Sequence, residues 1–172
     1  MKGASNIFLV GPMGAGKTTI GRNLAQIVGK RFVDADREVE TRSGASISLI
    51  FELEGEAGFR RRERAVIEDL TAGEGMVVAT GGGAVLDPSN RALLRKHGTV
   101  VYLHAPLDVL VRRTRRDRSR PLLQTADPQT RLEQIVRERD PLYREVADII
   151  VETDHRSVRS VVNEVARRLG TP

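Results

Sequence analysis

Short, unbroken apolar runs alternate along the chain with longer segments whose apolar residues lie three or four apart. The runs predict five buried strands, over residues 6–10, 32–36, 76–80, 100–103 and 148–151. Continuous apolar runs between helices are typical of parallel strands that are covered on both faces. The sequence therefore predicts an α/β fold, a three-layer sandwich around a five-stranded parallel sheet, in a single domain over residues 1–172.

The helical segments are predicted by apolar stripes at the helical period. They cover residues 16–28, 37–42, 46–53, 59–70, 88–96, 107–113, 129–143 and 158–169. Within 129–143, Pro141 disfavours helical geometry at Asp140, so we expect this helix to end there. Residues 115–127 carry only two apolar side chains in their middle, Leu122 and Leu123, and predict a long loop. Long loops in compact domains are often mobile lids, which is our expectation for this one.

A phosphate-binding loop lies between the first strand and the first helix. Gly11–Thr18 reads GPMGAGKT and fits the pattern G-x-x-x-x-G-K-[ST] completely. Glycines allow backbone amides to curl around phosphate oxygens, and the helix start adds its positive dipole end. Lys17 is predicted to reach the β- and γ-phosphates, and the Thr18 hydroxyl to bind Mg²⁺. The alternative, a glycine turn without a nucleotide, does not explain the strand before the loop and the helix after it.

Two carboxylates, Asp34 and Asp36, close the second predicted strand. Residues two apart on a strand point to the same side. The pair is therefore suited to divided roles, with one carboxylate near Mg²⁺ and the other near an acceptor hydroxyl. The alternative is structural, because Asp36 is also placed to cap a helix that starts at Arg37.

The remaining candidates lie in four further segments. Arg60 and Glu63 are three apart on one helical face and can pair; such pairs are usually surface features unless the arginine grips a carboxylate. Gly81–Gly83 follow a strand and bring bare backbone close to the ligand edge of the sheet, where a flexible turn is the alternative. Arg120 lies in the predicted lid. Arg139, taken alone, is expected to be an exposed helix residue.

Composition excludes several classes of function. The chain has no cysteine, and its three histidines lie far apart, which excludes thiolate zinc sites and disulfides. No apolar run approaches the ~20 residues of a membrane span, so we expect a cytoplasmic protein without a membrane partner. The net charge is +5, but aromatic residues are only 3%, which gives little support to nucleic-acid binding. We expect no nucleic-acid partner, and we expect a monomer.

Taken together and in order, these segments resemble the shikimate kinase family from Asn6 to about Leu169. The residues that carry the resemblance are the phosphate loop, Asp34-x-Asp36, Phe59-Arg60-x-x-Glu63, Gly81–Gly83, Arg120-Pro121-Leu122-Leu123 and Arg139-x-Pro141-Leu142-Tyr143. The resemblance implies a P-loop kinase fold and transfer of the γ-phosphate of MgATP to the 3-hydroxyl of shikimate. ATP and Mg²⁺ are the implied cofactors, and shikimate is the implied small-molecule partner.

The resemblance also implies roles for individual residues. Mg²⁺ would be bound by Thr18 and Asp34, and shikimate by Asp36, Arg60, Gly82 and Arg139. ATP would be bound by Gly14, Ala15, Gly16, Lys17, Thr18, Thr19, Arg113, Arg120 and Arg156, with Arg113 and Arg156 on either side of the adenine. The implied catalytic residues are Lys17, Asp36 and Arg120.

Three other functions are compatible with parts of this pattern. A gluconate kinase shares the phosphate loop and a carboxylate-bearing substrate, although two arginines and the triple glycine favour shikimate. A non-catalytic ATP-binding module is expected to lack Lys17, Asp36 or Arg120, and all three are present. A nucleic-acid-binding ATPase is suggested only by the positive charge, and a steep salt dependence of nucleic-acid binding is its test.

Overall fold

The computed structural model describes residues 5–115 and 120–170. Five parallel strands form one sheet in the order β2-β3-β1-β4-β5. The strands are β1 Asn6–Val10, β2 Arg31–Asp34, β3 Met76–Ala79, β4 Gly98–His104 and β5 Ile149–Glu152. The predicted five-stranded parallel sheet is thus confirmed.

Seven helices and two short 3₁₀ turns surround the sheet in the described part of the chain. The helices are α1 Lys17–Val28, α2 Ala35–Ser43, α3 Ile47–Ala72, α4 Pro88–His97, α5 Leu107–Thr114, α6 Pro128–Val146 and α7 Val158–Arg168; the turns are Ala84–Leu86 and Pro121–Leu123. None of these helices is both long enough and apolar enough to cross a membrane.

The central strand β1 is buried on both faces. Ile7 and Leu9 point into the core that includes α1, α5 and α7, whereas Phe8 and Val10 point into the core that includes α2, α3 and α4. Successive side chains of a strand alternate between faces, so a fully apolar run supplies both cores at once. This alternation explains why the run lacks the polar positions of a half-exposed strand.

The boundary between β2 and α2 differs from the prediction at Asp36. The strand ends at Asp34, whose carboxylate Oδ1 accepts hydrogen bonds from the backbone amides of Asp36 and Arg37. Asp34 is therefore the N-cap of α2, and Asp36 lies in the first turn of the helix. The prediction that the two carboxylates share one face of a strand is wrong, and so is the alternative that Asp36 is the cap.

Two further helix boundaries also differ. The predicted helices over 46–53 and 59–70 form the single element α3, interrupted only at Gly55, where φ is +73° and ψ is 179°. Helix α6 does not end before Pro141 but continues through it to Val146. Tyr143 and Val146 are buried beyond the proline, and their packing outweighs the hydrogen bond that a proline nitrogen cannot donate.

Candidate active site

A cavity of about 500 Å³ opens at the carboxyl edge of the sheet. Ligands of open parallel sheets bind at this edge. Most of the predicted site residues line the cavity: Gly14, Gly16, Lys17, Thr18, Thr19, Asp34, Asp36, Arg60, Gly82, Arg120 and Arg139. One concave space therefore brings together residues that are up to 125 positions apart in sequence.

The phosphate loop presents backbone amides to the cavity. Gly16 precedes α1 with a φ of +92°, a conformation that favours glycine, and it has no side chain to cap the first amides of the helix. The half-buried Lys17 donates hydrogen bonds from Nζ to the carbonyls of Gly11 and Pro12, at 2.5 and 3.0 Å. Burial of its ammonium and the charge of Arg120 lower the pKa of Lys17 to about 7. A phosphate group beside Lys17 would favour its charged form.

Thr18 and Asp34 form a pair of oxygen ligands at the rim of the phosphate loop. The Thr18 hydroxyl donates to Asp34 Oδ2 at 3.0 Å, while Asp34 Oδ1 is engaged in capping α2. A hydroxyl beside a fixed carboxylate fits Mg²⁺, which prefers oxygen ligands and uses one or two protein groups together with phosphate and water. The geometry is thus compatible with the metal site that the sequence predicts.

Asp36 faces the cavity from the first turn of α2. Burial, followed by the charge of Asp34, raises its pKa above the usual range, while Lys17 and two arginines act in the opposite direction. In the described part of the chain, its buried oxygen Oδ1 has no hydrogen-bond partner. An acceptor oxygen of this kind, aimed near the phosphate loop, is suited to a substrate hydroxyl.

Arg60 and Glu63 pair as predicted, but the pair is not a surface feature. Arg60 Nη1 donates to Glu63 Oε1 at 2.9 Å, and the Glu63 side chain is only 2% exposed. Burial outweighs the attraction of Arg60 and raises the pKa of Glu63 to about 7. Glu63 therefore holds the Arg60 guanidinium through Nη1, while Nη2 lies 3.5 Å from Oε1 of the exposed Glu56.

The triple glycine allows functional side chains to approach the backbone. A Cβ at Gly81 would lie 2.5 Å from Asp36 Oδ1 and 2.9 Å from Glu63 Oε2, and one at Gly83 would lie 2.3 Å from Arg60 Nη2. Real Cβ atoms do not come this close to other atoms. These glycines are therefore not a flexible turn; they provide room for the acidic and basic groups of the site.

Arg139 is buried, contrary to the expectation of an exposed helix residue. Its exposure is 4%, and its guanidinium lies beside Gly82 and the hydroxyl of Tyr143. Burial lowers its pKa below the usual arginine value. An anionic ligand, such as a carboxylate, would offset the cost of burying a guanidinium that faces a cavity.

Of the remaining predicted residues, only Arg120 lines the cavity. Arg120 lines the cavity together with Pro121 and Leu122, whereas residues 116–119 of the predicted lid are outside the described residues. Arg113 Nη1 donates to the carbonyl of Gly14 at 3.0 Å, next to the phosphate loop. Arg156 pairs with Glu164 at 2.6 Å, and it is not among the described residues that line the cavity. Ala15 is buried within the phosphate loop. The ATP contacts of these residues stay predictions.

Sequence reasoning missed several residues that shape the site. Met13, Phe51 and Phe59 contribute apolar wall, and Tyr143 supports the floor from behind Gly82. The position of Tyr143, one helical turn after Arg139, is a signal that could have assigned it this role. The burial of Glu63 had no local signal, because it depends on α2 and on the triple glycine.

Comparison with known proteins gives one consistent family. The model of the family "Shikimate kinase" matches residues 13–170. The shikimate kinase of Halorhodospira halophila is 58% identical over 165 residues, which are 96% of this chain and 93% of that protein.

Solved structures agree with the sequence relatives. The shikimate kinase of Acinetobacter baumannii in complex with shikimate has a TM-score of 0.95 and 47% identity, over 98% of this chain and 94% of that one. A gluconokinase from Sinorhizobium meliloti, 19% identical with a TM-score of 0.62 over 99% and 94% of the two chains, shares the fold alone.

Proposed function

The chain belongs to the shikimate kinase family, and from this membership we propose how its cavity performs the family's reaction. The enzyme transfers the γ-phosphate of MgATP to the 3-hydroxyl of shikimate, giving ADP and shikimate 3-phosphate for aromatic biosynthesis. The single observation that carries the assignment of roles is the meeting of a phosphate loop, a buried acid and two arginines in one cavity.

The phosphate loop end of the cavity would hold the nucleotide. The amides that begin α1 face the phosphates, Lys17 exchanges its bonds with loop carbonyls for phosphate oxygens, and Thr18 with Asp34 would hold Mg²⁺. When bound, the metal neutralises phosphate charge. Arg120 faces the same end and would stabilise the negative charge of the transferring group.

The opposite end of the cavity would hold shikimate by its carboxylate. Arg60, held by Glu63, and Arg139, beside Gly82, offer two guanidiniums to one anionic group. Charge-assisted hydrogen bonds from fixed guanidiniums specify both position and orientation. The ring hydroxyls then extend toward Asp36, which would accept a hydrogen bond from the attacking hydroxyl and hold or take its proton.

The arrangement favours reaction because both reactants are positioned in advance. Phosphoryl transfer has a loose transition state, so alignment and charge stabilisation contribute more than covalent participation by the protein. The meeting of Asp36, the phosphate loop and the two arginines in one cavity therefore favours a substrate that carries a carboxylate and a hydroxyl on one ring.

A coupled assay of ADP release tests the substrate directly. Shikimate, gluconate and a nucleoside monophosphate are offered in turn with ATP and Mg²⁺. We expect the highest kcat/KM for shikimate, and loss of turnover when Mg²⁺ is removed with a chelator. A higher kcat/KM for gluconate would contradict the proposal.

A further inference from the structure

A buried tyrosine lies directly behind the predicted shikimate site without facing the cavity. Tyr143 is 0% exposed, and its hydroxyl donates to the carbonyl of Gly82 at 2.5 Å. The Arg139 guanidinium lies beside the same hydroxyl. One hydroxyl therefore contacts the Arg139 guanidinium, which would receive the substrate carboxylate, and the carbonyl of Gly82, whose backbone lines the same cavity.

We propose that Tyr143 is a positioning residue for the substrate carboxylate, acting through Gly82 and Arg139; this inference rests on the proposed function. A peptide plane rotates as a unit, so holding the Gly82 carbonyl restricts the plane that it shares with the Gly83 amide, directly after the Gly82 amide. The same contact limits the directions available to the Arg139 guanidinium. Its Nη1 lies close to Gly82, 3.5 Å from the point that a Cβ would occupy if this residue had one. Ordering both groups before the ligand arrives lowers the entropy lost on binding.

The donor role of Tyr143 is fixed by its surroundings. Burial raises the pKa of the phenol to about 12, so the hydroxyl keeps its proton at physiological pH. A phenol has one hydrogen to donate and can also accept. Because the hydroxyl donates to the Gly82 carbonyl, its oxygen lone pairs are left to accept from Arg139. The hydroxyl thus links Arg139 and the Gly82 carbonyl in one chain of hydrogen bonds.

The chain supplies a matched control in its other tyrosine. Tyr102 packs against Tyr143 with ring centroids 5.0 Å apart, is 1% exposed, and donates its hydroxyl to Asp140 Oδ1 at 2.7 Å. It belongs to the same buried stack but contacts no cavity residue through its hydroxyl. Removing the Tyr102 hydroxyl takes its hydrogen bond to Asp140 from the same stack, and removing the Tyr143 hydroxyl takes those to the Gly82 carbonyl and to Arg139; only Tyr143 adjoins the substrate site.

Steady-state kinetics with Tyr143→Phe and Tyr102→Phe test the proposal. We expect Tyr143→Phe to raise the KM for shikimate about three- to tenfold, the equivalent of one hydrogen bond. Its kcat should stay within about twofold, because the groups that act on the γ-phosphate are not touched. The KM for ATP should not change. Tyr102→Phe should lower the urea midpoint of unfolding to a similar degree while keeping the wild-type KM for shikimate.

A second measurement needs no change at position 143. With only two tyrosines in the chain, labelling with ¹³Cζ-tyrosine gives two resonances, assigned with Tyr102→Phe. We expect shikimate to shift the Tyr143 resonance and leave that of Tyr102 nearly unchanged. An unshifted Tyr143 resonance at saturating shikimate, or a Tyr143→Phe enzyme with wild-type KM, would overturn the inference. A wild-type enzyme that does not phosphorylate shikimate would instead overturn the proposed function.

Discussion

Asp36 is the residue whose role depends most on its position. Because Asp34 caps α2, replacing Asp36 by asparagine leaves the cap intact, and we expect Asp36→Asn to fold and to bind ATP normally. A positioned base typically contributes about 10²–10⁴-fold. We expect kcat to fall by a factor within that range. The KM for shikimate should also rise, because an amide binds the ring hydroxyls less well than a carboxylate does. Steady-state kinetics measure both, and a wild-type kcat would contradict the role.

Glu63 makes the stability of the ligand-free enzyme depend on pH. The unfolded chain releases this proton near pH 4.5, while the folded protein keeps it until about pH 7. The stability that Glu63 contributes is therefore complete below pH 4.5 and is lost as pH rises through about 7. The charged groups that face it are Arg60, Asp36 and Arg139.

Glu63→Gln should remove this dependence. We expect its free energy of unfolding to decline less between pH 5 and pH 8 than that of the wild type, by about 1–3 kcal/mol. Urea denaturation at several pH values measures the difference. Glu54→Gln, an exposed change on the same helix, is the matched control and should follow the wild-type profile. Parallel profiles for wild type and Glu63→Gln would show that Glu63 ionises normally.

At the scale of elements, a substitution in the triple glycine should change substrate binding without preventing the chain from folding. The φ of Gly83 is −99°, which an alanine adopts without strain, so the backbone tolerates Gly83→Ala. The new methyl group would occupy the space of the Arg60 guanidinium, whose flexible side chain can move away. We expect a folded enzyme with a KM for shikimate raised about tenfold or more, the scale of one charge-assisted bond.

The control for this change is a glycine far from the cavity. Gly73 ends α3 with an ordinary φ of −90°, and its nearest neighbour is the flexible Met76 side chain. Gly73→Ala should leave the KM for shikimate unchanged. If both variants keep the wild-type KM, Arg60 does not grip the substrate from the place it occupies here.

The elements also show where sequence reasoning succeeds and where it fails. The strand β1 and the phosphate loop were predicted because a local apolar run and a glycine pattern determine them. The β2–α2 boundary was placed wrongly because either carboxylate can cap a helix, and the local sequence does not show that Asp34 is the one that does so. The path of α6 through Pro141 and the burial of Arg139 depend on packing against the sheet and the triple glycine, which no local pattern contains.

At the scale of the whole molecule, Arg120 joins the second half of the chain to the phosphate site. It lines the same cavity as Lys17 and Asp36, and its charge lowers the pKa of both. We expect Arg120→Ala to lower kcat by roughly 10³-fold or more, by analogy with arginines that act on a transferring phosphoryl group. Binding of ADP and shikimate should change far less, because the charge is needed most in the transition state.

Arg120→Lys separates charge from shape. A lysine supplies the charge but not the planar fork, so we expect only partial recovery of kcat. Kinetics and calorimetric titration of ADP and shikimate measure the two effects. Equal losses in kcat and in ground-state affinity would show that Arg120 holds the ligands and has no special role in transfer.

The central position of β1 has a consequence for the growing chain. This strand is made before its hydrogen-bonding partners β3 and β4, which end at Ala79 and His104. Pairing between distant segments must wait until the later one has left the ribosome, and such pairing is slow. The phosphate loop follows β1 directly, so its start is not held in place before this pairing forms. A nascent chain that has not yet reached His104 therefore carries the phosphate-loop sequence without both of the strands that hold β1 in the sheet.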